Sequence, residues 1–387
     1  MQRGMVIGVT HSTPSTQDTT RGPQAPRQSH QEAQPAASDP SAAPGSTASA
    51  APAPAVADAV PARVEILDTT LRDGLQIEKT IVPTEVKIDL GRQLAAAGLT
   101  QLEIGAFVNP KKVPQMSDTA EVLAGLQPLE ETGVDLYTLV FNRKGSERAA
   151  DAGAKNVKLV ISASEGHSQA NSDSSIAQAA DRLFDAIDAL KAHGIRFDIA
   201  TAVSFFCPFD GITDVEKLLP ILRTFTDAGA HGIGLADTVG NSNPGLVSRT
   251  TAAVLAEFPD HPVNLHLHDT YNFGMANVYA ALQLGIAHFD AAMGGLGGCP
   301  FAPGAAGNIG TDDLVHLLHR EGVATGVDVD RLAAIRTPLT AAVGHPLTSS
   351  LSAIPATPAT LLEPRPGSSP TGTPTTSTST PTNGGAA

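Results

Sequence analysis

Eight times between Val64 and Arg320 the chain passes from a short β-branched run to an Ala/Leu-rich stretch of helical period, and that alternation leaves few architectures open. The runs are Val64–Asp68, Gln101–Gly105, Asp135–Phe141, Asn156–Ser162, Arg196–Val203, Gly232–Asp237, Val263–His268 and His288–Met293. Helical patterns fall at Thr84–Ala97, Ser117–Glu131, Lys144–Ala152, Ser174–His193, Asp214–Ala228, Pro244–Glu257, Asn272–Leu284 and Thr311–Arg320. Several are followed by Gly, at 98, 133, 153, 194, 229 and 285, where a left-handed residue ends a helix. Eight strand–helix pairs over about 260 residues are the count and size of a (β/α)8 TIM barrel, an α/β fold. An open doubly wound sheet would place a glycine-rich dinucleotide fingerprint after its first strand. This chain places Thr69-Thr70-Leu71-Arg72-Asp73-Gly74 there instead, so the reading is the barrel.

Composition sets the domain limits. Residues 1–60 and 355–387 hold 15 of the 29 prolines and no aromatic residue, and are otherwise Ala, Ser, Thr, Gln and Gly. Such segments cannot bury enough apolar surface to offset their ordering entropy, so both are expected to be disordered tails around a folded domain at 61–354. The formal charge is −14, and the tails carry only −1 of it, with three Arg against four acids in the first and one of each sign in the second. A domain at −13 with no run of Lys and Arg argues against a nucleic-acid partner. No stretch approaches the length of a membrane span, and Met1–Thr10 is too short in its apolar patch for a secretory signal, so no membrane partner and a cytoplasmic location are expected. Two cysteines, Cys207 and Cys299, imply no disulfide framework. Cys207 lies among Phe205, Phe206 and Phe209 and reads as core.

In a barrel the reactive groups sit at the C-terminal ends of the strands. Sorted that way, the chain offers Arg72 and Asp73 after the first strand and Glu103 on the second. It adds Asp237 ending the sixth, His266 and His268 on the seventh, and Cys299 and Asn308 beyond the eighth. Residues two apart on a strand face the same way, so His266 and His268 can present two imidazoles to one cation. Asp73 and Asn308 could complete a mixed nitrogen and oxygen site for a divalent metal that keeps positions open to water or substrate. Arg72 reads either as an ion-paired rim residue or as a guanidinium placed to stabilise an enolate or alkoxide; Glu103 reads equally as its partner. The segment Gly294-Gly295-Leu296-Gly297-Gly298-Cys299-Pro300 is too glycine-dense for a strand or helix, and no Gly-Lys-Ser/Thr follows to make it a phosphate loop. Its thiol is either inert packing or an acid/base group carried on a mobile lid.

With these residues the sequence resembles the 3-hydroxy-3-methylglutaryl-CoA lyases, within the wider group of metal-dependent barrel lyases and Claisen synthases. The likeness lies in Leu71-Arg72-Asp73-Gly74-Leu75-Gln76, in the segment from Phe107 to Asp118, in His266-Leu267-His268-Asp269-Thr270-Tyr271, and in the segment from Gly297 to Asn308; it covers about Val64 to Leu351. The resemblance implies Mg2+ or Mn2+ held by Asp73, His266, His268 and Asn308, with Arg72 on enolate charge, Glu103 beside the metal, Cys299 as the proton-transferring thiol and Asp237 near substrate. It implies an acyl-CoA substrate cleaved to acetyl-CoA and acetoacetate, the chemistry of leucine degradation and ketone bodies, in a homodimer or larger homo-oligomer. On the fifth strand these lyases carry Arg-Gly-Tyr-Val-Ser and this chain carries Ala200-Thr201-Ala202-Val203-Ser204, which implies an altered acyl pocket. Citramalyl-CoA cleavage, giving pyruvate, and condensation of acetyl-CoA with a 2-oxo acid are the alternatives.

Overall fold

In the computed structural model, residues 60–298 and 307–354 are described. The expected tails lie outside them apart from Val60, which packs against the core, and Cys299 lies outside them too. Eight parallel strands close into a barrel: β1 (Glu65–Asp68), β2 (Gln101–Ala106), β3 (Asp135–Val140), β4 (Asn156–Ser162), β5 (Arg196–Ala202), β6 (Ile233–Asp237), β7 (Val263–Leu267) and β8 (His288–Ala291). Each strand pairs with its neighbours in sequence, and β1 closes against β8 through Glu65 with His288 and Asp68 with Ala291. The strand runs read from the sequence all appear: β4 keeps its expected bounds, β2 gains Ala106, β1 and β6 begin one residue later, and β3, β5, β7 and β8 stop one or two residues earlier, where a rim turn begins.

Ten helices are used below: α1 (Thr84–Ala96), α2 (Thr119–Leu126), α3 (Arg143–Asp151), α4 (Glu165–Ser172), α5 (Ile176–Ala192), α6 (Val215–Asp227), α7 (Pro244–Glu257), α8 (Gly274–Leu282), α9 (Thr311–Arg320) and α10 (Val329–Val343). Their starts follow from local chemistry. Asn142, Ser164 and Asn243 accept N–H bonds from the first turns of α3, α4 and α7, and Ser175 with Gln178 forms a reciprocal capping box at α5. The single helix expected at Ser117–Glu131 is instead α2 followed by a 3-10 segment, Gln127–Thr132, because Pro128 enters at its start. Among the described residues α4, α10 and a final helical turn at Ser350–Ala353 escaped the sequence reading. α4 is short and polar, and α10 carries Pro338 inside its pattern.

The barrel wall has two faces of different chemistry. On β4, Val157, Leu159 and Ile161 are 0–2% exposed and join the aliphatic core between strands and helices. The alternate positions, Lys158 and Ser162, face the barrel axis. Across the closure the inward set includes Asp198, Asn264, His266 and Asp290. Barrel interiors are commonly filled by branched aliphatic side chains. Here polar groups meet there, and each needs a partner to offset its desolvation.

Candidate active site

The site begins where β1 stops. Thr70–Gly74 forms a π-helical turn, with Gly74 N–H bonded to Thr69 O at 3.1 Å, and it carries Arg72 and Asp73 in succession. The Arg72 guanidinium sits between two carboxylates: Nε and Nη2 donate to Glu103 Oε2 at 2.7 and 2.6 Å, and Nη1 pairs with Asp73 Oδ1. Glu103 is fully buried on β2, and its other oxygen has no hydrogen-bond partner among the described residues. Burial alone would lower the Arg72 pKa, but Glu103 and Asp73 more than offset it and keep the guanidinium charged. The ion-pair reading of these residues is the one observed, and the pairs fix the guanidinium between Glu103 and Asp73.

The other half comes from β7 and the chain beyond the glycine-rich segment. His266 and His268 project to one side, with their Nε2 atoms 3.1 Å apart and 3.8 and 3.7 Å from Asp73 Oδ2. Asp73, His266 and His268 each bring a ligand atom within 4.8 Å of the others. Asn308 bridges its backbone to His268 and donates Nδ2 to Asp73 Oδ2 at 2.7 Å and to Leu296 O at 3.1 Å. Its Oδ1 is buried without a partner among the described residues. Burial would raise Asp73, yet Arg72 and then the two histidines hold its carboxyl far below the usual range, so it is anionic. Burial and then His266 push His268 down to about 4, so it is neutral near pH 7. Two imidazole nitrogens facing each other at 3.1 Å need a shared proton or a cation between them. An anionic oxygen, two imidazoles and an orphaned amide oxygen are the donor set for a divalent metal, so the four sequence-read ligands fit one.

A second layer was not legible in the sequence. His266 Nδ1 lies 3.1 Å from Asp290 Oδ2, which also accepts from Lys158 Nζ at 2.7 Å, while Asp290 Oδ1 accepts from Asn264 Nδ2 at 2.9 Å. Such a carboxylate behind a ligand histidine fixes the tautomer that leaves Nε2 as the donor. The available signal was a lone Lys on one strand and a lone Asp on another, each at an inward position.

Asp237 stands apart from this cluster. It pairs in register with Leu267, not with His266, and its oxygens accept Ser242 Oγ at 2.9 Å and Ser242 N–H at 3.1 Å. Burial raises its pKa against those bonds. Cys207 is buried as expected, but its sulfur accepts Ser164 Oγ–H at 2.9 Å and the Phe209 and Asp210 N–H groups at 3.4 Å, tying α4 to the hairpin of Phe206–Cys207 and Gly211–Ile212. The glycine density has a packing cause at Gly297: its φ is +104°, and an added Cβ would stand 2.5 Å from Asn308 Nδ2.

A cavity of about 830 Å³ opens at the C-terminal ends of β2 to β5. Lys112, Lys144, Arg148 and Arg182 are among its lining residues, with Ser162, Ala202 and Gln76, three residues past Asp73. Of Ala200 and Ala202, which stand where the lyases carry Arg and Tyr, only Ala202 lines it. Ala200 lines a smaller cavity of about 260 Å³ that also takes in Glu65 and Asp135 at strand starts. Among the described residues no helix is long and apolar enough to cross a membrane.

A family model described as HMGL-like matches residues 63–338. An (R)-citramalyl-CoA lyase of Chloroflexus aurantiacus is 41% identical over 292 residues, 73% of this chain and 92% of the relative. A mitochondrial hydroxymethylglutaryl-CoA lyase of Gallus gallus is 39% identical over 274 residues, 71% and 91% of the two chains. The solved structure of an HMG-CoA lyase from Acenitobacter baumannii in complex with coenzyme A and 3-methylmalate superposes with a TM-score of 0.71 at 40% identity, covering 75% of this chain and 94% of that one.

Proposed function

The chain belongs to the HMGL-like family, and from that premise we propose that it cleaves a 3-hydroxy-3-methylglutaryl-CoA-type thioester by a metal-dependent retro-Claisen reaction, giving acetyl-CoA and acetoacetate. The observation that carries the reading is the convergence of Asp73, His266 and His268 beside an Arg72 locked by Glu103. Asp73, His266, His268 and Asn308 would hold Mg2+ or Mn2+, which would acidify the substrate's tertiary hydroxyl and polarise a neighbouring oxygen. The remaining steps belong to this chain's side chains. Loss of the hydroxyl proton to a rim base forms the ketone as the C–C bond breaks, and the bond's electron pair leaves on the acetyl-CoA enolate. Arg72 faces that developing negative charge already oriented, so no reorganisation is needed at the moment of cleavage. Cys299 then protonates the enolate carbon. Glu103 keeps Arg72 in place, and Asp237, through Ser242, sets the loop entering α7. The cationic lining of the larger cavity suits the phosphates of an acyl-CoA. A cytoplasmic location, a homodimer or larger assembly and a place in leucine degradation and ketone-body formation belong to the same proposal.

Citramalyl-CoA is the second reading, favoured by the citramalyl-CoA lyase relative and by the small Ala202 in the cavity wall. The test is a coupled assay of the purified full chain with Mg2+ or Mn2+, offering both thioesters and following acetyl-CoA and the keto acid. Cleavage of 3-hydroxy-3-methylglutaryl-CoA is the expected result. Cleavage of citramalyl-CoA alone selects the second reading, and condensation of acetyl-CoA with a 2-oxo acid without cleavage overturns both.

A further inference from the structure

One wall of the larger cavity is polar in a way that neither the metal cluster nor the cationic rim requires. Ser162, the last residue of β4, is 8% exposed and lines the cavity, and its Oγ lies 2.6 Å from Nδ1 of His167. His167 is 2% exposed in the first turn of α4, whose cap Ser164 accepts its N–H at 3.3 Å and is itself bonded to Cys207 and Asp210. The imidazole is thus set by the hairpin after β5. Burial lowers its pKa, so one ring nitrogen donates and the other accepts at neutral pH. Ser168, one turn from Ser164, lines the same cavity, is fully buried, and has an Oγ without a hydrogen-bond partner among the described residues.

Register relates this wall to the metal cluster. Ser162 pairs with Ala202, and Ala236 pairs with His266. Because Ala200 pairs with Gly234, Ala202 stands beside Ala236 two residues on. Ser162, Ala202, Ala236 and His266 therefore form one inward layer, a hydroxyl at one end and a ligand imidazole at the other, with two methyl groups between. Three strand spacings separate the ends by about 14 Å along the wall and by less across the mouth. An acyl group anchored at the cluster would lie over the two alanines with its far end directed toward the Ser162 wall.

The two candidate thioesters differ there. In a 3-hydroxyglutaryl-type acyl group the carboxylate stands one methylene off the carbinol carbon. In a malyl-type group it is on that carbon and stays at the cluster. We infer that Ser162, backed by His167, is the specificity-determining contact of this site, its hydroxyl donating to the terminal carboxylate of a 3-hydroxyglutaryl-type acyl-CoA while His167 Nδ1–H donates to the same Ser162 oxygen. The inference rests on the retro-Claisen reading and adds its substrate class.

The experiment measures kcat/KM of the full chain for 3-hydroxy-3-methylglutaryl-CoA and citramalyl-CoA, with the Kd of free coenzyme A by calorimetry. The variants are Ser162→Ala, Ser162→Thr, His167→Phe and the Ser162→Ala/His167→Phe double, each checked by thermal melting. Loss of a hydrogen bond to a charged group should lower the glutaryl-to-malyl selectivity ratio about tenfold in Ser162→Ala and His167→Phe, chiefly through KM. The double variant should be no worse than either, and Ser162→Thr, which keeps the hydroxyl, should recover most of the ratio. Affinity for coenzyme A should hold. An unchanged ratio, or a Kd for coenzyme A that worsens in step with KM, overturns the inference. Wild-type cleavage of citramalyl-CoA alone overturns it and leaves the lyase reading standing, whereas cleavage of neither thioester removes both.

Discussion

Replacing Lys158 by Met tests whether the barrel interior is held by paired charge. Nζ of Lys158 donates to Asp290 Oδ2 at 2.7 Å, and both side chains are under 10% exposed. Burial would raise the Asp290 pKa, but Lys158 and then His266 hold its carboxyl well below the ordinary range. Methionine keeps the aliphatic stem, so packing changes little and the lost quantity is the cation. Removing one partner of a buried pair costs about 3–5 kcal/mol, because the other charge stays desolvated. At this chain length each kcal/mol is worth roughly 2 °C, so the melting temperature should fall by roughly 6–10 °C. Calorimetry at pH 7.5 in EDTA on wild type, Lys158→Met, Asp290→Asn and the double variant makes the comparison. With both charges gone, the double should lose less than Lys158→Met alone. The sign with pH is fixed too: a depressed carboxyl contributes stability above its unfolded pKa of about 3.9 and loses it as pH falls through the folded value. The Lys158→Met deficit should therefore persist from pH 8 to about 5 and close only in acid. A melting temperature within about 2 °C of wild type, or a double variant as unstable as the sum of the singles, refutes the paired-charge account.

Arg72→Met should leave Mn2+ affinity, read by paramagnetic resonance, close to wild type and lower kcat by about 10²–10³-fold; wild-type turnover would remove the enolate role. In Gly297→Ala the new Cβ meets Asn308 Nδ2, so Mn2+ affinity should drop by about tenfold or more, and an unaltered titration would show that Asn308 is not needed there. Asp68 is pushed up to about 6 by burial, against bonds from Thr70 N–H at 2.9 Å and Thr311 Oγ–H at 2.7 Å. The folded state holds that proton more tightly than the unfolded chain, so its contribution, about 3 kcal/mol, is complete below about pH 4 and gone above the folded value. Asp68→Asn should flatten the fall in melting temperature between pH 5 and 8 and stand above wild type at pH 8; a wild-type profile that rises over that range contradicts it.

The alternation of β-branched and Ala/Leu-rich segments was enough to give the barrel, because strand and helix periods arise from short-range backbone sterics that any local window carries. Gly98 shows the same locality: it ends α1 with φ +102°, as the sequence pattern required. His266 and His268 were legible as a ligand pair because a spacing of two on a strand is itself a geometric statement. That Glu103 could be Arg72's partner was legible; that both oxygen-facing nitrogens converge on one Glu103 oxygen was not. What no window could supply is the closure of the barrel. Closure brings Lys158 to Asp290 across 132 positions and Asn308 to Asp73 across 235, and it lines Ser162 up with His266 through two alanines. Lys158, Asp290 and Ser162 are, each in its own segment, isolated polar side chains with an ordinary surface reading. By itself the sequence determined the eight strands, most of the helices and the kinds of ligand atom available; the tertiary structure decided which of them share a proton, a charge or a cavity. The reason is that inter-strand register and desolvation belong to the closed barrel and to no segment of it.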